Sequence, residues 1–128
     1  KIGDYVLTDG AYNDTSITRL YGFKGERIES TKDLTDSFCM ELEKKGISCT
    51  RGYHWTTDGG YVQPEWRGRY YLNDMGAKCV EMEGAGLFTI ANFRSRRQQR
   101  YMLYLTVDQM MNGILVGVKA LLKIVFRN

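Results

Sequence analysis

The sequence has one proline and one histidine in 128 residues, and its three cysteines form no Cys-x-x-Cys pair. With 43% hydrophobic and 26% charged residues, this scarcity of proline excludes a proline-rich or low-complexity chain and fits an ordinary globular one. The lone His54 has no cysteine, histidine or carboxylate at metal-ligand spacing, so no zinc-type motif exists, and its place between Tyr53 and Trp55 reads as packing inside a strand. Charge of one sign is also lacking: 18 Lys+Arg against 15 Asp+Glu leave only +3, too little to call for a nucleic-acid or membrane partner. No run of 18 apolar residues is present, and the longest candidate, residues 114–126, is broken by Lys119 and Lys123. Cys39, Cys49 and Cys79 are odd in number and widely spaced, so reduced, mostly buried thiols and a cytoplasmic location are expected. The opening Lys1-Ile2-Gly3-Asp4-Tyr5-Val6-Leu7 reads as a turn running into a strand, as an excised piece begins, and not as a charged and apolar leader.

What is present is a strand–helix alternation in a chain long enough for one domain, residues 1–128. A short strand at residues 5–7 is followed by a polar stretch, residues 8–30, that reads as a long irregular connection. In residues 32–45, Leu34, Phe38 and Leu42 recur every four positions, with Thr31 placed to cap, Asp33 and Asp36 early, Lys44 and Lys45 late, and Gly46 as a stop. A strand is predicted over 47–55 and a turn over 56–60, then a helix opened by Pro64 with Trp66, Tyr70 and Tyr71 on its inner side and Gly76 near its end. Residues 77–80 read as a strand, and 82–93 as a helix with Leu87, Ile90 and Ala91 on its stripe. Residues 101–107 are almost wholly apolar, as in a central parallel strand covered on both faces. The last segment, 113–126, reads as an amphipathic helix with Leu115, Val118, Leu122 and Val125 opposite Lys119, Lys123 and Arg127. This order predicts an α/β fold, three layers with helices flanking a mixed, largely parallel central sheet.

In such folds reactive groups gather where strands end and helices begin. Three segments have that placement: Thr56-Thr57-Asp58, Glu81-Met82-Glu83-Gly84-Ala85 and Thr106-Val107-Asp108-Gln109. The string Val80-Glu81-Met82-Glu83 running into Gly84-Ala85-Gly86-Leu87-Phe88-Thr89-Ile90-Ala91 resembles the V-E-M-E strand and helix of the purine nucleoside phosphorylase and uridine phosphorylase superfamily. Three weaker resemblances follow the family's order: Gly3-Asp4-Tyr5-Val6 with Asp9-Gly10-Ala11, Trp55-Thr56-Thr57-Asp58, and Val107-Asp108-Gln109.

The resemblance implies a carboxyl-terminal portion of a nucleoside phosphorylase-like fold, incomplete at its amino end. The family's phosphate loop and phosphate-binding arginines precede the strand matched by Gly3-Asp4-Tyr5-Val6. It further implies cleavage of the N-glycosidic bond of a nucleoside with inorganic phosphate as co-substrate, no organic cofactor or metal, and a homo-oligomer. By position Glu83 holds the ribose hydroxyls, Met82 packs on the sugar and Glu81 contributes at the same turn. Asp108 protonates the departing base, and Thr57, Asp58 and Tyr61 face the base. A carboxylate on the sugar hydroxyls suits the chemistry, because its hold strengthens as the sugar gains oxocarbenium character. The departures are Val107 where the family has Ser, Gly60 where pyrimidine-specific members carry an aromatic residue, and Gln63 followed by Pro64 and Glu65 in place of a Gln-x-Arg clamp. Hydrolysis by a nucleosidase, or a non-catalytic ribose-binding or oligomerisation module, are the alternative readings.

Overall fold

A computed structural model describes residues 4–60, 62–94, 100–107, 110–111, 114–115 and 118–125. Its first strand, β1, spans Tyr5–Asp14, and Val6, Leu7, Thr8, Gly10, Ala11 and Tyr12 are all buried, as in a strand at the middle of a sheet. The expected loop over residues 8–30 is therefore corrected: β1 continues through it, and a short helix α1 (Ile17–Leu20) and a strand β2 (Arg27–Glu29) follow. Thr8, Asp9 and Gly10 look like turn residues, but Gly10 serves a close approach, since a Cβ there would lie 2.3 Å from the Ile28 carbonyl oxygen on β2.

Helix α2 (Lys32–Lys44) forms as the spacing predicts, and Gly46, at φ 68°, ends it. Thr31 caps it through its backbone, its carbonyl accepting from the N–H groups of Leu34 and Thr35. Strand β3 is Thr50–Thr57, so Thr56 and Thr57 belong to the strand and not to the turn. Pro64 precedes a single turn, α3 (Glu65–Gly68), which continues as π-helical Arg69–Asp74. That winding shifts the angular step per residue, so the inner face read at helical spacing is only partly correct. Tyr71 stacks on Trp55 at 4.8 Å, whereas Trp66 is 61% exposed and Tyr70 is also exposed. Strand β4 is Val80–Glu81 and helix α4 Gly84–Arg94. The buried face of α4 centres on Ala85, Phe88 and Thr89, with Ala91, while Leu87 and Ile90 are half-buried.

The remaining strands are β5 (Arg100–Val107), β6 (Met110–Met111), β7 (Ile114–Leu115) and β8 (Val118–Val125). Two expectations are corrected here. β5 runs antiparallel to β1, and the segment read as a terminal helix contains β7 and β8, with β8 paired antiparallel to β5 along its whole length. Lys119 and Lys123 fit one helix face, yet they also alternate with Val118, Ala120, Leu122 and Ile124 at strand period. Pairing with β5 decides between the two patterns.

The main sheet has the order β4-β3-β1-β5-β8, with β2 beside β1. It is mixed: β1, β3 and β4 are parallel, and the other pairings are antiparallel. One face packs Val6, Ala11, Ile28 and Cys79 against Ala85, Phe88 and Ala91 of α4. The opposite face packs Tyr12, Trp55 and Val80 against Tyr71 and Leu72 of the π-helical segment. Neighbours Ala11 and Tyr12 thus serve different layers, as strand alternation requires.

Candidate active site

Three parallel strands end side by side, because Asp14 pairs with Thr57 and Thr56 pairs with Glu81. The segments leaving that edge are Thr15-Ser16, Asp58 to Gly60, and Met82-Glu83, the crevice where α/β sheets hold ligands. The four N-terminal amides of α4 need acceptors, and Glu81 supplies one. Its Oε2 accepts from the N–H groups of Glu83 at 2.7 Å and Gly84 at 2.6 Å. Its Oε1 accepts from the Thr56 hydroxyl, whose own oxygen accepts from Ala85 N–H at 2.9 Å.

His54 is fully buried on β3, with Nε2 3.1 Å from Glu81 Oε1 in a contact too bent for an aligned hydrogen bond; Nδ1 has no partner among the described residues. Burial pushes the Glu81 carboxyl up, but His54, the Thr56 hydroxyl and the Glu83 amide outweigh it and hold the group below its ordinary range. Glu81 is thus an ionised anchor turned into the protein. Its neighbours on the same turn point elsewhere: Met82 and Glu83 are exposed, and the Met82 sulfur would lie 3.3 Å from a Cβ at Gly60. The bond that starts α4 is accepted by the Glu83 carbonyl from Leu87 N–H, and among the described residues the Glu83 carboxylate accepts one hydrogen bond, from Met82 N–H at 3.3 Å.

The neighbouring turn is built on Asp58. Its carboxylate accepts from the Thr15 hydroxyl, and from the Ser16 N–H and hydroxyl, both at 2.7 Å. The Thr15 bond, with those from Ser16, draws its pKa below the ordinary value against a smaller opposing effect of burial. Thr57 is buried, and its hydroxyl accepts from the Gln63 amide and from Gly59 N–H at 3.3 Å. Asp14 accepts from Trp55 Nε1 at 3.1 Å and pairs with Arg67 Nη2 at 2.9 Å, which ties α3 to the end of β1.

Beside the turns at Thr15-Ser16 and Asp58-Gly59 opens a polar cavity of about 430 Å³, lined among others by Asp58, Gln63, Arg67, Arg19, Lys24 and Glu26; Glu81, Met82 and Glu83 are not part of its lining. Arg19 and Lys24 have no acidic partner within salt-bridge distance among the described residues. Also among the described residues, no three His, Cys, Asp or Glu side chains converge as a metal site needs.

Of the residues singled out from sequence, Glu81, Met82 and Glu83 follow one another at the end of β4, and Thr57 and Asp58 at the end of the adjacent β3. Tyr61 and Asp108 lie outside the described residues. The strand leading to Asp108 ends beside the amino end of β1, where Thr106 pairs with Tyr5, at the sheet edge away from Asp14 and Thr57. Sequence reasoning missed the contact of His54 with Glu81 and the roles of Asp14, Thr15, Ser16, Lys24 and Arg67. Only the Asn13-Asp14-Thr15-Ser16 cluster, read as loop, carried a signal, since such residues often close a strand end with side-chain hydrogen bonds.

Comparison with known proteins places this geometry in a family. The chain resembles the structure of uridine phosphorylase from Vibrio fischeri at 22% identity, with a TM-score of 0.66 over 73% of this chain and 39% of that one. It resembles AMP nucleosidase from Bacteroides thetaiotaomicron at 22% identity and a TM-score of 0.60, over 73% and 41% of the two chains. Purine nucleoside phosphorylase from Toxoplasma gondii, solved with immucillin-H, gives 20% identity and a TM-score of 0.61, over 72% and 37%. The chain thus spans about two fifths of the length of these proteins. No curated protein matches it. The family model for the phosphorylase superfamily matches residues 1–113, and the chain belongs to that superfamily.

Proposed function

We propose that this chain carries the sugar-binding side of a site that cleaves the N-glycosidic bond of a nucleoside by phosphorolysis, yielding free base and ribose 1-phosphate. The observation that carries the reading is the division of labour within Glu81-Met82-Glu83. Glu81 is consumed in holding the helix start, whereas the Glu83 carboxylate and the Met82 side chain are exposed, with Met82 against Gly60, the residue that follows the cavity-lining Asp58 and Gly59. A carboxylate that grips two sugar hydroxyls stabilises positive charge growing on the ring, and a thioether beside it offers an apolar floor.

Thr57 and Asp58 at the end of β3 are the base-side residues in this reading, with Tyr61. The resemblance assigns base protonation to Asp108; the strand leading to it ends at the sheet edge away from Asp58, which counts against that role, and Asp108→Asn tests it. Arg19 and Lys24 on the cavity wall support an anionic co-substrate, inorganic phosphate, and no organic cofactor is invoked. Cytoplasmic location and assembly into a homo-oligomer belong to the same proposal. Hydrolysis is the second reading, favoured by the similarity to AMP nucleosidase.

Product analysis separates the two. The full chain is incubated with purine and pyrimidine nucleosides, with and without phosphate, and the sugar product is identified. Ribose 1-phosphate formed only with phosphate supports phosphorolysis. Free ribose at a phosphate-independent rate supports hydrolysis. Nucleoside binding without any base release supports a non-catalytic binding module.

A further inference from the structure

Cys39 and Cys49 lie outside the cavity and its walls, and the fold brings them together. Asp36 and Cys39 are three positions apart on α2 and share a face of it; Cys49 immediately precedes β3, two positions before Arg51. Arg51 Nη2 is 2.5 Å from Asp36 Oδ1, and its Nε is 2.7 Å from Asp9 Oδ1, so helix and strand are clamped together at that level. The chain reverses at Gly46, where Ile47 N–H donates to the Leu42 carbonyl at 2.9 Å. One turn further along α2 and two positions back from Arg51 therefore lead to the same place. Cys39 and Cys49 come together there, both free and both half-buried, with Cys39 Sγ 3.7 Å from Glu43 Oε1. The expectation of mostly buried thiols holds for Cys79 alone.

We infer that Cys39 and Cys49 form a dithiol site for two-electron oxidation, in which a peroxide or a low-molecular-weight disulfide converts the pair to an intramolecular disulfide. With a peroxide, one thiol becomes a sulfenic acid and releases water. The second thiol then displaces the hydroxyl as a second water, so two thiols and one hydrogen peroxide give one disulfide and two waters. Burial, then Cys39 and Glu43, push the Cys49 thiol up against the pull of Arg51, so its thiolate is scarce at neutral pH and disulfide formation should quicken as pH rises. Cys79 is an internal control, buried and pushed up to about 12, chiefly by burial and then by Glu81. The bond would tether the second half of α2 to the chain just before β3, at the opposite end of β3 from the candidate active site. It is independent of the nucleoside reading.

The test treats the full chain with hydrogen peroxide, alkylates the remaining thiols under denaturing conditions, and maps peptides by mass spectrometry. The expected result is a Cys39–Cys49 cross-linked peptide in a monomer lighter by two hydrogens, with only Cys79 alkylated, reversed by dithiothreitol. Phenylarsine oxide, which bridges close thiol pairs, should bind with one-to-one stoichiometry. Cys39→Ser and Cys49→Ser should each abolish both the cross-link and arsenical capture while the far-ultraviolet circular dichroism stays unchanged. Sulfinic acids formed independently at each cysteine, cross-links only between molecules, or capture that survives both variants would overturn the inference.

Discussion

Replacing Glu81 probes the support of the candidate active site. In Glu81→Ala the Glu83 and Gly84 N–H groups lose their acceptor, the Thr56 hydroxyl loses its own, and His54 loses the carboxylate oxygen 3.1 Å from its Nε2. Hydrogen bonds to a charged group contribute about 1.5–3 kcal/mol each. Because the freed amides at the helix start reach water more easily than a core group, about 3–5 kcal/mol is expected for the whole change. That is a large part of the roughly 5–15 kcal/mol of a typical domain. Glu81→Gln keeps one acceptor oxygen in the same place and should lose only about 1 kcal/mol. Urea melts at pH 7 measure both variants. The pH dependence has a definite sign: the folded-state pKa of Glu81 lies below its ordinary 4.5, so its stabilisation is complete above that value and drains away as pH falls through the folded one. Glu81→Gln should therefore flatten the acid limb of the stability curve. If Glu81→Ala melts within about 0.5 kcal/mol of the wild type, the anchoring argument is wrong.

Other outcomes follow from the same geometry. Gly10→Ala would drive a Cβ into the Ile28 carbonyl and the Tyr53 ring, so a loss of about 1–3 kcal/mol in urea melts is expected, the range for overpacking. Gly46→Ala meets no neighbour but must hold φ 68°, and should cost about 1–2 kcal/mol for that conformation alone. Asp58→Ala removes the acceptor of the Ser16 amide, so hydrogen exchange at Ser16 should quicken while the β1–β3 amides stay protected; unchanged exchange at Ser16 would count against the tie.

How much of this was legible in the sequence depended on whether a segment's local pattern agreed with its partner. Residues 32–44 carried the start, stripe and stop of a helix together, and α2 forms there. The turn at Glu81-Met82-Glu83 was legible through its resemblance to a family string, but the inward rotation of Glu81 was not. That rotation depends on Thr56 and His54, which reach it only through strand pairing. β1 was cut short because Thr8, Asp9 and Gly10 have turn propensities that pairing on both edges overrides. Residues 113–126 failed for a related reason: lysines four apart satisfy a helix and a strand equally, and pairing with β5 is invisible at the level of one segment.

The measurement that bears most directly on the account is release of free base from a panel of nucleosides by the wild-type chain and by Glu83→Gln. The substitution leaves shape and packing alone and weakens only the grip on the sugar hydroxyls. Losing a charge-assisted bond that strengthens at the transition state should lower the rate about 10- to 100-fold, with urea melts unchanged. A Glu83→Gln protein that releases base as fast as the wild type would contradict the assignment of this turn to the sugar.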